Sequence, residues 1–367
     1  MGKKINAEYG VIMTNAGSPF RYYGWPSVAK LDNGDIVAAS SGMRLDHVCC
    51  FGKTVLSVSK DEGKTWGAPI IVNDTILDDR DAGVINMGNN KVGVTWFTLS
   101  NEMQKKCCTW RDDDDFTKKL ILAYTEIVTP EEDKEGHGSF VRISNDGGHT
   151  WGEQIRVPVT APHGFIVLKD GSYLYFGKTD DLDKGGESPI TAYKSVDGEI
   201  WELAGTVPVV PGFHTYQYHE PHVIELKDGR LMGMIRTHEH LPKPREVITY
   251  KTISEDGGKT WTVPEEVKEI DGYPPHLLRH SSGAIICSYA YRNGDQPETS
   301  CEKAAISYDE GETWSDYVID DRGHSTDLGY PASVELSNGD ILTVYYQSLP
   351  NQWKPSILCS TWSLPKE

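Results

Sequence analysis

The chain has 367 residues, of which 25% are charged, 38% hydrophobic and 10% aromatic, and its formal net charge is −18 at pH 7. This composition is typical of a globular protein, and the negative charge disfavours nucleic acids, anionic membranes and long polyanionic polymers as partners. No apolar stretch reaches the roughly 20 residues that a membrane-spanning helix needs.

The amino-terminal segment and the cysteines indicate a cytoplasmic protein. Residues 1–20 carry two lysines with no apolar run behind them, so no secretory signal is predicted. Seven cysteines are an odd number, and the adjacent pairs Cys49–Cys50 and Cys107–Cys108 do not readily close as disulfides. None has the CxxC spacing that zinc sites favour, so neither a metal nor another cofactor is predicted.

Six segments along the chain read as a strand, a tight turn and a second strand. Their turns fall near residues 34, 90, 171, 229, 283 and 339, and apolar residues flank a Gly or Asn in each, which is a hairpin signal. Successive turns are 54–58 residues apart, except for one step of 81. The long step contains an insertion, roughly residues 100–138 with the acidic run "RDDDDF", which reads as a solvated loop or alternatively as a lid over a pocket.

A second repeat lies between the hairpins. It reads "SKDEGKTW" (59–66), "SNDGGHTW" (144–151), "SEDGGKTW" (254–261) and "SYDEGETW" (307–314), with a shortened copy "SVDGEIW" at 195–201. Asp and Gly stand where a tight turn needs a side-chain acceptor and a residue that tolerates positive φ, and Trp closes the turn as an apolar plug. These turns are interpreted as structural and not as the active site.

Together the two repeats predict an all-β protein. Six hairpins, each followed by a strand pair joined at the second repeat, make six four-stranded sheets, and a period of 50–60 residues without amphipathic helices indicates a six-bladed β-propeller. Residues 1–367 are expected to form one domain. "SILCSTWSL" gives the last sheet a third strand, and "YGVIMTN" near the start is expected to add the fourth and close the ring.

The innermost strand of each blade should present its first residue to the mouth of a central funnel. Counting back nine residues from each hairpin turn finds these positions, two of which are prolines close to histidines. They are Trp25, Asp81, Pro162 (next to His163), Glu220, Pro274 (close to His276) and Tyr330.

The S-x-D-x-G-x-T-W pattern on most blades resembles the sialidase superfamily, whose repeats are also called BNR or Asp-box motifs, over nearly the whole chain. The resemblance implies an exo-acting glycoside hydrolase with Tyr330 as nucleophile and Glu220 as the base that activates it. A neutral phenol can approach an anomeric carbon whose own carboxylate would repel a second carboxylate. The resemblance also implies that Arg236 binds the substrate carboxylate and that Asp81 contacts the substrate.

The loop after the first hairpin usually carries the acid/base aspartate in this superfamily. Here that loop, "SSGMRLDHVCCFGK", offers Asp46, with Arg44 and His47 beside it. Asp46 is therefore the predicted acid/base, and Arg44 a predicted substrate-binding residue.

Two departures from the family pattern indicate a remodelled pocket. Gly24 stands where the first arginine of the family's triad belongs, and Tyr346 stands where a glutamate normally steadies it. Arg21 lies near the first position but out of register, and Arg292 is a loose candidate for the third arginine.

Aromatic and histidine side chains are predicted to fill part of this gap. Trp25, with the Tyr22–Tyr23 pair, is a predicted stacking platform for a sugar ring. Histidine titrates near neutrality, so the histidines around the inner strand starts are predicted to transfer protons or bind sugar. They are His163, His222 and His276, with His219 and His214 nearby.

The leading hypothesis is an intracellular hydrolase that removes a terminal, acidic sugar from a small oligosaccharide. Tyr330 would attack, Glu220 would accept the phenolic proton, and Asp46 or a histidine would protonate the leaving group. Two alternatives remain open: a lyase that uses Tyr and His to act on a uronate, and a sugar-binding propeller without catalysis.

Overall fold

The computed structural model describes residues 2–110, 115–179, 188–238 and 247–365, and these residues form six mainly antiparallel sheets. The predicted all-β propeller is confirmed. The segment at the amino terminus forms β1 (Lys3–Lys4) and β2 (Ala7–Met13). The first three blades contain β3 (Tyr22–Lys30), β4 (Ile36–Arg44), β5 (Lys53–Ser59) and β6 (Ile70–Asn73); β7 (Asp78–Gly88), β8 (Lys91–Leu99), β9 (Ser139–Ser144) and β10 (Ile155–Val157); and β11 (Ile166–Val167), β12 (Tyr173–Lys178), β13 (Ile190–Ser195) and β14 (Glu202–Thr206).

The last three blades follow the same plan. They contain β15 (Tyr218–Glu225), β16 (Leu231–His238), β17 (Val247–Ser254) and β18 (Glu265–Glu266); β19 (Tyr273–Arg279), β20 (Ile285–Tyr291), β21 (Cys301–Ser307) and β22 (Ser315–Asp320); and β23 (Gly329–Glu335), β24 (Ile341–Ser348) and β25 (Pro355–Trp362). Each blade packs against the next along its inner strands, and β23 of the last blade contacts β3 of the first. The inner strands therefore form a closed ring.

The ring is closed by the amino-terminal segment, as predicted. Strand β2 pairs antiparallel with β25, with Gly10 opposite Cys359, and so supplies the outermost strand of the sixth blade. The structure adds one pairing that the repeat did not predict: β1 lies parallel to β22 and gives the fifth blade a fifth strand. The two ends of the chain are thereby tied to the last two blades.

The insertion between β8 and β9 is helical, so the expectation of a loop was wrong. It forms α1 (Asn101–Trp110), α2 (Asp115–Thr125) and α3 (Pro130–Gly136). A capping box begins α3, in which Thr129 and Glu132 each accept the other's backbone N–H, and the motif Thr-Pro-Glu-Glu was a readable signal for it. Side chains of α1 and α2 pack on the loop after β4 through Cys50, Cys108 and Ile121. Most of the acidic run, residues 111–114, lies outside the described residues.

Five blades, all but the sixth, have an Asp box. It forms the turn after the third strand of the blade, at the blade end opposite the start of the inner strand. In the copy at 254–261, the Asp256 carboxylate accepts the N–H groups of residues 259 and 260 and the hydroxyl of Thr260. Trp261 donates its indole N–H to the Gly258 carbonyl and packs on Phe176 of the preceding blade, with ring centroids 4.6 Å apart. Each box thus closes its own turn and joins two blades.

Removing the Trp261 side chain is expected to lower the free energy of unfolding by about 3–5 kcal/mol, because a Trp261→Ala variant leaves a large cavity between the third and fourth blades. Urea unfolding measures the loss. Trp353→Ala is the matched control: this indole is 91% exposed, so its removal should change the free energy by less than about 0.5 kcal/mol. Equal losses in the two variants would contradict the role given to the Asp-box tryptophan.

Candidate active site

Four inner strand starts have a residue in the left-handed backbone region, although none of the four is a glycine. Their φ angles lie between 42° and 53°, and a bulge interrupts the strand pairing at each of them. Such a conformation costs free energy in a residue with a side chain, and it recurs where a side chain must be held in one direction. The four are those found by counting back from the hairpin turns: Trp25, Asp81, Glu220 and Tyr330.

Glu220 of the fourth blade and Tyr330 of the sixth are in direct contact. The Tyr330 hydroxyl donates a hydrogen bond to Glu220 Oε1 at 2.5 Å, and Arg236 Nη1 donates to the other carboxylate oxygen. The side chain of Glu220 is 21% exposed, so this group reaches solvent. The structure therefore brings three of the predicted site residues together.

The charges around this contact favour a neutral phenol beside an ionised carboxylate. Burial alone would raise the pKa of Glu220, but the charge of Arg236 and the hydrogen bonds from Tyr330 and Arg236 lower it to about 2. The pKa of Tyr330 is raised well above its usual value by burial and by the negative charges of Glu220 and Asp81. A hydroxyl that donates to an ionised carboxylate is the arrangement of a nucleophile beside its base.

A second arginine, Arg292, also lies at this site. Its Nε donates to the carbonyl of Leu328 at 2.8 Å, and its guanidinium lies 5.7 Å from the ring centroid of Tyr330. Arg236 and Arg292 both lie over the ring of Tyr273, at 4.1 and 5.1 Å. Arg236 Nε is buried and has no hydrogen-bond partner among the described residues. Two guanidinium groups beside Tyr330 can bind an anionic group.

Asp81 is buried, and its Oδ1 has no hydrogen-bond partner in the described parts of the chain. Burial raises the pKa of its carboxyl to about 7; the charge of Arg80 acts against this rise, and that of Glu220 adds to it. Near neutral pH the group is therefore close to half protonated, and it can either donate or accept a hydrogen bond.

An Asp81→Asn variant is expected to be more stable than the wild type at pH 8, by on the order of 2–4 kcal/mol. Wild-type Asp81 ionises near pH 4 when unfolded but near pH 7 when folded. The folded state holds the extra proton between these values, so wild-type stability falls as pH rises through this window. Asparagine does not ionise, so the fall should be smaller in the variant, as urea unfolding at pH 5 and pH 8 would measure.

Asp79→Asn is the matched control for this experiment. Burial also raises the pKa of Asp79 to about 7, but this carboxylate accepts hydrogen bonds from Thr75 and Asn73 that an amide would partly lose. This variant should show a flatter pH slope but lower stability at pH 5. An unchanged slope in Asp81→Asn would show that Asp81 titrates normally.

Arg44 and Asp46, the two site residues predicted from the first-blade loop, are both buried. Arg44 is completely buried and binds Asp78 with both terminal nitrogens, at 2.6 and 2.9 Å, so its prediction as a substrate-binding residue was wrong. Asp46 is buried in an ion pair with Lys354, from the loop after β24. Arg21 donates to the carbonyl of Ala16, and no described contact joins it to Glu220 or Tyr330.

Trp25 is not a stacking platform, because only 1% of the residue is exposed. The guanidinium of Arg80 lies 4.2 Å above its ring, and the ring edges of His47 and Tyr330 pack against it. The prediction failed because a constant offset from the hairpin turn locates a residue on its strand but does not show which side chains pack over it. Arg80, which precedes Asp81 directly in the sequence, was missed.

The space beside Gly24 is occupied by two tyrosine rings. A Cβ at Gly24 would lie 3.1 Å from the Tyr22 ring and 3.8 Å from that of Tyr346, so the site has no room there for an arginine side chain. The hydroxyls of both tyrosines donate to Asp327, at 2.9 and 3.2 Å. The two departures noted in the sequence are therefore one structural change.

Asp327 was also missed, although it precedes Tyr330 by only three residues. Its Oδ1 lies 2.9 Å from His47 Nδ1, and the side chains of His47 and Asp327 are 25% and 34% exposed. Burial would raise the pKa of Asp327, but the charge and hydrogen bond of His47, with further help from Tyr22 and Arg292, hold it well below its usual range. The site thus contains an ionised carboxylate bound to an imidazole.

The three histidines predicted to bind substrate form a buried cluster instead. The ring centroids of His163, His222 and His276 are 4.6–5.7 Å apart, and each residue is less than 9% exposed. Burial lowers the pKa of His222 to about 3 and the pKa values of the other two well below normal. They are neutral packing residues, and among the described residues no group of three His, Cys, Asp or Glu side chains has metal-binding geometry.

Comparison with known proteins agrees with this architecture. The family model described as a BNR repeat-like domain matches residues 105–344 of the chain. No curated protein matches the sequence at a significant level. In the described residues, no helix is both long and apolar enough to cross a membrane.

Several solved structures have the same fold. A protein of unknown function from Dyadobacter fermentans is 22% identical, with 98% of each chain covered and a TM-score of 0.76. The intramolecular trans-sialidase from Ruminococcus gnavus is 15% identical, with 96% of this chain and 97% of that chain covered and a TM-score of 0.65. The NanB sialidase from Streptococcus pneumoniae is 14% identical, with coverage of 96% and 70% and a TM-score of 0.67.

Proposed function

This chain belongs to the BNR repeat-like family and has the sialidase-like propeller fold, and from that premise we propose that it is an exo-acting glycoside hydrolase. It removes one terminal, acidic sugar from a small oligosaccharide. The observation that carries the proposal is the 2.5 Å hydrogen bond from Tyr330 to Glu220, with Arg236 on the other carboxylate oxygen.

In this reaction Tyr330 attacks the anomeric carbon as Glu220 accepts its proton. The pKa of Glu220, about 2, keeps the base ionised at any pH near neutrality. Because burial raises the pKa of Tyr330, the phenol stays neutral until it attacks, and it can approach a carbon that carries a carboxylate without repulsion. Water then releases the sugar from the tyrosine.

Two arginines support an acidic sugar as the substrate. Arg236 and Arg292 stack on Tyr273 beside the nucleophile, and the buried Nε of Arg236 has no partner in the described residues. A sugar carboxylate would give that donor an acceptor, and planar guanidinium groups bind carboxylates with paired hydrogen bonds. Where the family has its first arginine, the buried rings of Tyr22 and Tyr346 pack beside Gly24, so an acidic sugar would meet two arginines here where the family has three.

A screen of terminal-sugar aryl glycosides tests the proposal, with sialosides and uronides included and with ultraviolet detection of unsaturated products. Hydrolysis of an acidic glycoside by the wild type is the expected result. An unsaturated product would indicate the lyase alternative, and binding without turnover would indicate a sugar-binding propeller. The cytoplasmic location stays a prediction from the cysteine pattern.

A further inference from the structure

We infer that His47, held by Asp327, is the residue that protonates the leaving group, and that Asp46 has a structural role. The inference rests on the proposed glycosidase function and names a residue that this function still lacks. The leaving oxygen of an oligosaccharide is an alkoxide, which departs slowly at neutral pH unless a positioned acid protonates it.

The imidazole of His47 is oriented by a carboxylate. Its Nδ1 lies 2.9 Å from Asp327 Oδ1, and Tyr22 and Tyr346 donate to the same carboxylate. Nδ1 also lies 2.8 Å from the Tyr22 hydroxyl, which itself donates to Asp327; in the imidazolium form Nδ1–H faces this pair, and Nε2 is the nitrogen that transfers the proton. A carboxylate that orients a histidine in this way also stabilises the charged imidazolium.

The backbone of His47 is held in place as firmly as its ring. Arg44 Nη2 and Arg80 Nη1 donate to the His47 carbonyl, at 3.0 and 2.8 Å. The ring packs edge-on against Trp25, 4.8 Å away between centroids, and Tyr330 packs against the same indole at 6.5 Å. His47 and the nucleophile therefore flank one rigid residue, and the side chain of His47 is partly exposed.

The other carboxyl groups near the site are less suited to this step. Asp46 forms an ion pair with Lys354, and its Oδ1 accepts the backbone N–H of His47, so it anchors the loop. Asp81 is only 7% exposed, and it lies close enough to Glu220 for the two charges to interact. It therefore belongs with the nucleophile and its base. Glu220 already accepts hydrogen bonds from Tyr330 and Arg236.

The chemical step balances with these groups. The bond from Tyr330 Oη to the anomeric carbon forms as the bond to the leaving oxygen breaks; the phenolic proton passes to Glu220, and the Nε2 proton of His47 passes to the leaving oxygen, which departs as an alcohol. In the second step neutral His47 takes a proton from the attacking water. The bond to Tyr330 then breaks, and Glu220 returns its proton to the phenolate. One water molecule is consumed.

Leaving-group dependence tests the inference. The acidic sugar that the wild type hydrolyses is offered with two aglycones: 4-nitrophenol, which departs without protonation, and methanol, which does not. His47→Gln should lower kcat/KM for the methyl glycoside by about 10²–10⁴-fold and for the 4-nitrophenyl glycoside by less than about tenfold. Asp46→Asn and Asp81→Asn are the comparison variants, and neither should widen the ratio between the two substrates.

A positioning role for Asp327 gives a second readout. Asp327→Asn should lower kcat for the methyl glycoside and shift the alkaline limb of its pH profile to lower pH, with little change in KM, because the imidazolium loses its counter-charge. Thermal melting checks that each variant folds. Should His47→Gln fail to fold, Asp327→Asn alone decides, since an unshifted pH profile in this variant would overturn the inference.

The outcomes separate the inference from the function on which it rests. Equal losses on both aglycones in His47→Gln, or a widened ratio in Asp46→Asn or Asp81→Asn, would overturn the role of His47 while leaving the hydrolase intact. A wild type that hydrolyses none of the acidic glycosides would instead remove the proposed function, and the inference with it.

Discussion

Replacing Tyr330 with phenylalanine is expected to lower kcat by at least about 10³-fold on every glycoside that the wild type hydrolyses. The change removes one oxygen atom, and with it both the nucleophile and the donor of the 2.5 Å hydrogen bond to Glu220. The phenylalanine ring can keep the packing against Trp25 and Tyr346, so KM should change little. Steady-state kinetics on the 4-nitrophenyl glycoside measures the loss.

Tyr345→Phe is the matched control for this variant. Tyr345 is the neighbour of Tyr346 in β24, it is equally buried, and its hydroxyl donates to the buried carboxylate of Asp320 at 2.7 Å. Removing this hydroxyl costs a comparable hydrogen bond elsewhere in the same sheet, so activity should stay within about twofold while stability falls by about 1–2 kcal/mol. Full activity in the Tyr330→Phe variant would show that Tyr330 is not the nucleophile.

The second large effect is expected for Glu220→Gln, with a loss of about 10²–10⁴-fold in kcat/KM. Glutamine can still accept a hydrogen bond from Arg236, but it cannot accept the proton of the Tyr330 hydroxyl. The negative charge of Glu220 raises the pKa of Tyr330, so its removal should lower that pKa. The residual activity of the variant is therefore expected to increase toward alkaline pH, where the phenol ionises without help, and a pH–rate profile from pH 5 to 10 tests this.

Glu310→Gln provides the matched control. Glu310 also has a positive φ angle, and both of its carboxylate oxygens accept hydrogen bonds from Arg279, each at 2.8 Å. It lies within the Asp box of the fifth blade. Its loss should affect stability and leave the kinetics unchanged. The double variant Tyr330→Phe/Glu220→Gln should be no slower than the slower single variant, because nucleophile and base act as one unit. Additive losses would argue that the two residues act separately.

The repeat spacing was enough to predict which residues start the inner strands. A blade repeats its strand lengths, so a constant offset from each hairpin turn reached Asp81, Glu220 and Tyr330, and their shared left-handed φ shows that the offset followed a real structural equivalence. The same regularity explains why ring closure by β2 was predictable, since the sixth blade lacked one strand. The helices of the insertion were not predicted because the insertion lies outside the repeat.

Other residues of the site could not be found in this way. Tyr22 and Asp327 are separated by 305 positions in the sequence, and Asp46 and Lys354 by 308, yet both pairs are in contact. Such contacts exist only because the ring brings the first and sixth blades together. The sequence around His47 contains no pattern that points to Asp327, and the sequence around Asp327 none that points to His47. Their contact could therefore not be predicted before the fold was known.

The sequence by itself therefore determined the all-β propeller and the strand starts that face its axis, because both follow from local turn chemistry and a constant period. Only the tertiary structure decided which of those side chains are paired with charged groups. Trp25 lies in the same register as Tyr330, and the three clustered histidines lie one or two positions after the corresponding residues of their own strands. All four are buried by neighbouring blades and loops, as Tyr330 also is at 5% exposure. Charge pairing depends on groups far apart along the chain, and it separates the contact between Tyr330, Glu220 and Arg236 from the neutral histidines.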